Sequence, residues 1–240
     1  MRATRLPITT APGMNNYLRS LHTHFTQHAH PENAPAMEKY MRNQFKFLGI
    51  KTPEQNALFK QFLAAYGLPE LRELEPLLLT LWAWPEREFQ YIGGDFLHRF
   101  RKQLTPEILP TIETLITTKS WWDTVDGLAS RKVGDLFQQF PGEVGEYIHR
   151  WRHSDNSWLR RTTLLFQLSY KANTDEALLF SLIKENTSSD EFFIQKAIGW
   201  ALREYSKTAS MAVKQFVTEQ TMASLSKREA LKWLKAKGQL

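Results

Sequence analysis

The sequence predicts an all-α fold in which short helices form antiparallel pairs and the pairs stack into a curved superhelix, an α-solenoid. Helical periodicity runs from Asn15 to the C-terminus, and the alternation of apolar and polar residues typical of strands is nearly absent. Helix breakers recur at short intervals, at Pro31, Pro35, Pro53, Pro69, Pro85, Pro106, Pro110, Pro141 and Gly142. The segments between them are about 10 to 18 residues long, the usual length of helices in globular proteins.

These breakers predict helices over 15–28, 34–47, 54–66, 68–83, 86–103, 106–118, 121–127, 131–140, 143–152, 156–171, 174–185, 189–205, 209–219 and 227–237. Three helix starts match a capping box, in which a hydroxyl and the side chain three residues later satisfy each other's backbone N–H groups. They are Thr52 with Gln55, Ser120 with Asp123, and Ser226 with Glu229.

Helix pairs of this size are typical of HEAT or armadillo repeats, which run roughly 40–47 residues and bury their apolar faces only by stacking. The sequence shows no crisp repeat, so the spacing of the breakers carries this prediction. The concave side of such a stack suits a long partner. No internal linker is visible, so we expect one HEAT-like domain over residues 14–240. Residues 1–13, with Pro7, Pro12 and Gly13 and no apolar core, predict a flexible leader rather than a secretory signal.

Composition narrows the function. Hydrophobic residues make up 42% and charged residues 23% of the 240 residues, as in ordinary globular proteins, whereas the 8 Trp exceed what a core alone requires. The net charge of +6 is compatible with a polyanionic partner such as DNA, although this modest excess also occurs by chance.

Several classes of site and location are excluded or disfavoured. The absence of Cys excludes disulfides, thiolate zinc sites and a cysteine nucleophile, and it fits a reducing cytoplasm, where we expect this protein. The seven His follow no metal-ligand spacing, so we expect no metal and no other cofactor. No stretch approaches the roughly 20 apolar residues of a membrane helix, so no membrane association is expected.

The segment 118–126 is the most informative part of the chain. Trp122 and Asp126 are four residues apart and share one helix face, while Trp121 and Val125 lie on the adjacent face and are expected to pack inward. With Asp123 assigned to capping, Asp126 has no obvious structural task. The alternative is a solvated carboxylate beside a half-buried Trp.

A second cluster lies within 192–203. Lys196, Trp200 and Arg203 follow i, i+4, i+7 spacing and form a basic stripe containing a Trp. Gly199 costs about 1 kcal/mol relative to Ala inside a helix, which indicates a close approach there. The alternative is a core Trp200 with the stems of the cations packed around its rim.

A third cluster contains adjacent arginines at the start of a helix. Asp155 or Asn156 can cap this helix, and Arg160 and Arg161 point about 100° apart, so both cannot face one partner equally well. Contact with a phosphate and a surface ion pair are the two interpretations.

At these segments the chain resembles the AlkD-type family of alkylpurine DNA glycosylases. The resemblance runs from about Leu18 to Lys235, through 40–43, 47–50, 81–82, 85–90, 118–126, 154–156, 165–168, 191–200, 202–205 and 225–230. It implies a curved stack of HEAT-like helix pairs with double-stranded DNA in a basic concave groove.

The resemblance also implies the activity and its residues. It implies release of cationic N3- and N7-alkylated purines from duplex DNA, leaving an abasic site, with key positions at Trp122, Asp126 and Trp200 and with Arg161 contacting DNA. Lys196 and Arg203 are weaker candidates for phosphate contacts. No lysine is assigned as a Schiff-base nucleophile, so the expected enzyme is monofunctional, and a monomer is expected because the groove needs no second copy.

Two other functions stay open from the sequence. One is a non-catalytic HEAT-like module that binds damaged or branched DNA by shape, with Trp122, Asp126 and Trp200 as remnants. The other is a protein–protein scaffold, which predicts little dependence of DNA binding on salt.

Overall fold

The computed structural model describes residues 12–240, and the regular elements in this part of the chain are helical, apart from an isolated bridge between Lys46 and Glu86. The predicted all-α class is therefore confirmed. The described helices fall into two compact units, which divide between Gln103 and Leu104. This division does not test whether residues 14–240 form a single domain, which stays a prediction.

From residue 12 onward, the first unit contains five α-helices. They are α1 (Pro12–Thr26), α2 (Ala34–Tyr40), α3 (Thr52–Tyr66), α4 (Leu74–Ala83) and α5 (Arg87–Phe100), with a 3₁₀ turn at Leu71–Glu73 before α4. Helices α4 and α5 pack as a pair, and α1 packs on α3. Buried phenylalanines join these helices: the rings of Phe59 and Phe96 meet edge to face with centroids 4.9 Å apart.

A buried carboxylate orders the loop before α3. Glu88, fully buried at the start of α5, accepts the backbone N–H groups of Leu48, Gly49 and Ile50 at 2.9–3.1 Å. Gly49 has a φ of +88°, and a Cβ there would lie 2.0 Å from the carbonyl oxygen of His30. The loop therefore requires glycine at this position and depends on Glu88 for its hydrogen bonds.

The second unit contains the remaining α-helices of the described chain. They are α6 (Leu109–Thr117), α7 (Trp122–Gly127), α8 (Gly134–Gln139), α9 (Val144–Arg152), α10 (Ser157–Leu165), α11 (Glu176–Asn186), α12 (Phe192–Ser206), α13 (Ser210–Glu219) and α14 (Ser224–Ala236). Short 3₁₀ turns at Pro106–Ile108, Pro141–Glu143 and Lys171–Asn173 precede α6, α9 and α11. Helix α12 packs along α14 on one side and against α10 on another.

Some predicted helix ends are wrong. The helix predicted over 34–47 ends at Tyr40, because Arg42 and Asn43 adopt left-handed conformations and the N–H of Asn43 closes the end on the carbonyl of Glu38 at 2.8 Å. The helix predicted over 156–171 ends at Leu165, and turns follow. Conversely, the predicted gap between 127 and 131 is absent, since the π-helix Leu128–Val133 joins α7 to α8.

The three predicted capping boxes are also wrong. Helix α3 begins at Thr52 itself, with Lys51 as N-cap, and neither Lys51 nor Trp121, the N-cap of α7, caps through its side chain. Ser226 lies inside α14 and donates its hydroxyl to the carbonyl of Gln195, 2.9 Å away. The Ser226 hydroxyl therefore takes a tertiary partner, whereas the Ser120 hydroxyl donates to the carbonyl of Ile116, four residues earlier on the local backbone.

Most of the predicted leader 1–13 lies outside the described residues, and its last two positions, Pro12 and Gly13, belong to α1. Over residues 12–240, no helix combines the length and apolar character needed to cross a bilayer.

Candidate functional site

Helix α7 presents Trp122 and Asp126 one turn apart on the same side. The helix starts sharply because Lys119 is left-handed, with a φ of +49°, and Ser120 donates its hydroxyl back to the carbonyl of Ile116 at 2.6 Å. After Gly127 the α-helix widens into the π-helix, and the Ser130 hydroxyl donates to the Asp126 carbonyl at 2.7 Å. Single π turns inside helices occur frequently at functional sites.

The Asp126 carboxylate is held by both oxygens on the guanidinium of Arg161 in α10. Arg161 Nε donates to Oδ1 at 2.7 Å and Nη2 donates to Oδ2 at 2.9 Å, the bidentate geometry that is strongest for such pairs. The side chains are only 4% (Arg161) and 15% (Asp126) exposed. Arg161 Nη1 also donates to the carbonyl of Phe193 in α12, so one guanidinium joins α7, α10 and α12.

Burial and the ion pair act on Asp126 in opposite directions. Burial raises the pKa of the Asp126 carboxyl, the Arg161 hydrogen bonds and charge lower it, and the nearby Asp123 raises it slightly further. The balance leaves the pKa of Asp126 above its ordinary value. A carboxyl with a perturbed pKa and fixed geometry, next to a Trp on the same helix face, is a candidate functional group.

An aromatic cluster packs beside this ion pair. The ring of Trp121 lies 4.9 Å from that of Phe193 and 5.9 Å from that of Trp158, and the Trp158 and Phe193 rings lie 5.2 Å apart. The Arg161 guanidinium carbon lies 5.9 Å from the centre of the Phe193 ring. Within the described residues the buried Trp121 Nε1 has no hydrogen-bond partner. The predicted inward packing of Trp121 and Val125 is confirmed, with Val125 fully buried.

Helix α12 carries the basic stripe. Trp200 is half-buried, two turns beyond Phe193, and Lys196 and Arg203 both pair with Glu229 of α14, at 3.2 and 2.8 Å. The predicted close approach at Gly199 is confirmed, because a Cβ there would lie 2.5 Å from the Glu229 Cβ and 2.9 Å from the Ser226 carbonyl oxygen.

The adjacent arginines of α10 take different partners. Asn156 caps the helix by accepting the Trp158 N–H at 2.9 Å, as predicted. Arg160 donates to Glu191 at 2.7 Å and to the carbonyl of Ser154 at 2.6 Å, which is the surface ion pair considered from the sequence. Arg161 points inward to Asp126, so the two side chains diverge, as their spacing predicts.

A family model described as DNA alkylation repair enzyme matches residues 21–234. The chain belongs to this family. The resemblance to the AlkD-type enzymes noted in the sequence is thereby confirmed. Among solved structures, a predicted DNA alkylation repair enzyme from Enterococcus faecalis is 33% identical with a TM-score of 0.80, over 86% of this chain and 96% of that one. No curated protein matches the sequence.

In this member of the DNA alkylation repair family, the structure brings together part of the predicted residue set. Asp126 and Arg161 are in direct contact, and Trp122 is one turn from Asp126. Trp200 lies on α12, two turns beyond Phe193, whose carbonyl accepts from Arg161. Lys196 and Arg203 are linked to each other through Glu229.

The sequence interpretation assigned Glu229 and Phe193 no part in the site. Glu229 was assigned to a capping box, yet it is the one acid in α14, beside Lys227, Arg228 and Lys232. With basic residues around it on its own helix, Glu229 shows no sequence signal for its partners on α12. Phe193 contributes its backbone carbonyl, which carries no signal in the residue type.

Proposed function

We propose that this protein is a monofunctional DNA glycosylase that hydrolyses the N-glycosidic bond of cationic N3- or N7-alkylated purines in duplex DNA. The observation that carries the proposal is the Asp126 carboxylate, largely buried and fixed through both oxygens on Arg161, one turn from Trp122. Membership of the DNA alkylation repair family supports a substrate in damaged DNA.

The chemistry fits the residue types. Alkylation at N3 or N7 gives the base a formal positive charge, so the base leaves with the bonding electron pair and becomes neutral. Positive charge then builds on the deoxyribose, where a preorganised carboxylate stabilises it. We assign this role to Asp126, which also orients the water whose oxygen bonds to C1′ and whose proton is released.

We propose that Arg161 acts by holding Asp126. Two of its N–H groups bind Asp126 and a third binds the Phe193 carbonyl, and its side chain is almost fully buried. This placement favours a positioning role over the direct DNA contact that the family resemblance implies. By opposing the effect of burial, Arg161 favours the ionised form of Asp126 that the chemistry requires.

We assign Trp122 and Trp200 to the cationic base or sugar. Both side chains are half-buried, so each keeps part of its surface accessible. An indole face attracts a cation by about 0.5–2 kcal/mol, depending on how far the pair is desolvated. The two indole faces would therefore bind a positively charged lesion in preference to the neutral bases of undamaged DNA.

The decisive experiment measures base release from duplex DNA that carries a single N7-methylguanine. The wild-type protein is expected to release the free base, and Asp126→Asn to release it at least about 100-fold more slowly, as when a group stabilising developing charge is removed. Binding to undamaged duplex is recorded for both proteins. Asp123→Asn, on the same helix, is the matched control and is expected to retain most of the activity.

The products test whether the enzyme is monofunctional. Hydrolysis leaves an abasic site in an intact strand, which breaks only after treatment with alkali. Strand cleavage without alkali, or covalent trapping of the protein on DNA by borohydride, would indicate a lysine Schiff base instead.

A second candidate function is a non-catalytic module that recognises damaged DNA by shape. The observation favouring it is that the Asp126–Arg161 pair links α7, α10 and α12, which a purely structural ion pair would also do. In that case neither wild type nor Asp126→Asn releases base, while both bind DNA in a salt-sensitive way.

A further inference from the structure

The C-terminal helix α14 supplies a carboxylate to both cations of the basic stripe on α12. Glu229 Oε1 lies 3.2 Å from Lys196 Nζ, and Glu229 Oε2 accepts from Arg203 Nη1 at 2.8 Å. The two cations sit four residues before and three residues after Trp200. Glu229 therefore bridges the stripe across the position of this Trp, using one oxygen for each cation.

The position of Glu229 is fixed by backbone packing. Gly199 lets α14 approach α12 so closely that a Cβ at Gly199 would overlap the Glu229 Cβ at 2.5 Å. One turn away, the Ser226 hydroxyl donates to the carbonyl of Gln195 at 2.9 Å and sets the register of the two helices. The contact between α12 and α14 thus holds Glu229 in place, whether or not Lys196 and Arg203 bind another group.

The exposure of the three side chains differs in an informative way. Glu229 is 15% exposed, whereas Lys196 is 38% and Arg203 is 26% exposed. The cations can therefore be reached from solvent while the carboxylate lies beneath them. The pKa of Glu229 lies below its ordinary value, because Lys196, Arg203 and Lys232 together outweigh the burial that would raise it. Glu229 is accordingly ionised at neutral pH and cancels one of the two stripe charges.

We propose that Glu229 is a specificity-determining residue that weakens binding to undamaged DNA by competing with backbone phosphates for Lys196 and Arg203. The inference rests on the proposed function and on the expectation, drawn from the sequence, that Lys196 and Arg203 contact backbone phosphates. A phosphate that binds Lys196 or Arg203 has to share the cation with Glu229. Affinity that does not depend on the lesion is thereby reduced, and a larger share of the binding free energy is left to contacts at the damaged nucleotide.

Glu229→Gln tests the proposal, since it removes the charge and keeps the side-chain shape beside Gly199. We expect binding to undamaged duplex to tighten by about three- to tenfold near 0.1 M salt. The plot of log affinity against log salt is expected to steepen by about one, because one more phosphate contact releases counterions. Glu229→Asp keeps the charge and is expected to stay close to the wild-type slope.

The matched control is Glu204→Gln. Glu204 lies on the same helix α12 and pairs with Lys207 at 2.6 Å, outside the stripe. Glu204→Gln removes the same amount of charge from the protein as Glu229→Gln does. If both variants tightened DNA binding equally, the effect would come from net charge in general, and the proposal would be overturned. Thermal unfolding and circular dichroism check that each variant is folded.

Variants of the stripe separate the possible failures. If Lys196→Gln and Arg203→Gln weaken binding while Glu229→Gln leaves the salt slope unchanged, the stripe binds DNA and the competing role of Glu229 is wrong. In the Lys196→Gln/Arg203→Gln background, Glu229→Gln is expected to have no effect on affinity, and an undiminished effect there also contradicts it. Should Glu229→Gln unfold, Glu229→Ala carries the test, since it also removes the charge and keeps the Cβ that packs on Gly199. Failure of the proposed glycosylase function is recognised separately, by the absence of base release from the wild type.

Discussion

At the scale of single residues, the Asp126–Arg161 pair combines two properties that a solvent-exposed pair lacks. It is buried, so removing one partner leaves an uncompensated charge, and it is bidentate, so the carboxylate orientation is fixed. Both properties make the pair suited to chemistry that needs a carboxylate in one place. They also make two measurements sensitive to it.

The first measurement is the pH dependence of base release. Because burial raises the pKa of Asp126, the ionised form is lost as the pH falls through a value above the ordinary range of aspartate, about 4. The acid limb of the rate profile is expected there. Arg161→Lys replaces the bidentate hold by a single ammonium, so the pKa of Asp126 rises and the limb moves to higher pH.

The control for this shift is Arg160→Lys, which changes the neighbouring arginine of α10 that pairs with Glu191 instead. The limb is expected to stay in place in this variant. Spontaneous loss of N7-methylguanine is subtracted at each pH. A limb that moves to lower pH in Arg161→Lys contradicts Asp126 as the titrating group.

The second measurement is stability towards denaturant. Arg161→Ala leaves the buried Asp126 without its partner and is expected to lower the free energy of unfolding by about 3–5 kcal/mol. Lys207→Ala breaks the more exposed pair with Glu204 and is expected to cost no more than about 1 kcal/mol. Equal effects of the two substitutions would mean that the Arg161 pair is well solvated.

At the scale of helices, the contact between α12 and α14 determines where Trp200 and the stripe lie. The helices approach closely because residue 199 has no side chain, and Ser226 and Glu229 fill the space that a side chain would occupy. A glycine inside a helix costs about 1 kcal/mol relative to alanine. The packing of α12 on α14 therefore has to stabilise the protein by at least that amount.

Gly199→Ala is therefore expected to destabilise the protein by about 1–3 kcal/mol, although alanine is the better helix former. The matched control is Gly145→Ala in α9, where an added Cβ meets nothing within 4 Å. We expect this control to be neutral or to stabilise by up to about 1 kcal/mol. Denaturant-induced unfolding measures the stability of both variants. A stabilised Gly199→Ala protein would contradict the close contact between α12 and α14.

At the scale of the whole molecule, the net charge of +6 and the DNA alkylation repair family together point to a polyanionic partner. Several of the positive charges are already paired within the protein. Arg150 pairs with Glu113, and Arg160 pairs with Glu191. The total of 31 Lys and Arg residues thus overstates the number of cations that are available to bind phosphates.

Binding of undamaged duplex DNA is accordingly expected to depend on salt with a moderate slope. Each neutralised phosphate contributes about 0.9 to the slope of log affinity against log salt, so two to four contacts predict a slope of about 2 to 4. Fluorescence anisotropy from about 50 to 300 mM salt measures it, with a single-stranded control expected to give a shallower slope. A flat line would favour the protein–protein scaffold.

The sequence by itself determined the features that depend on residues close along the chain. Apolar periodicity and the spacing of prolines identified the helices, and the one-turn spacing placed Trp122 beside Asp126, because these relations are set by local helix geometry. The cap by Asn156 and the close approach at Gly199 were predicted for the same local reason.

Only the tertiary structure decided which charges meet. Asp126 and Arg161 are 35 residues apart, and Glu229 joins its cations from another helix, so neither pairing has a local signal. The capping box at Ser226 failed for the same reason, since this hydroxyl bonds to the carbonyl of Gln195 on the packed helix α12. Helix formation follows from the order of residues along the chain, whereas the partner of a buried charge follows from which helices pack together.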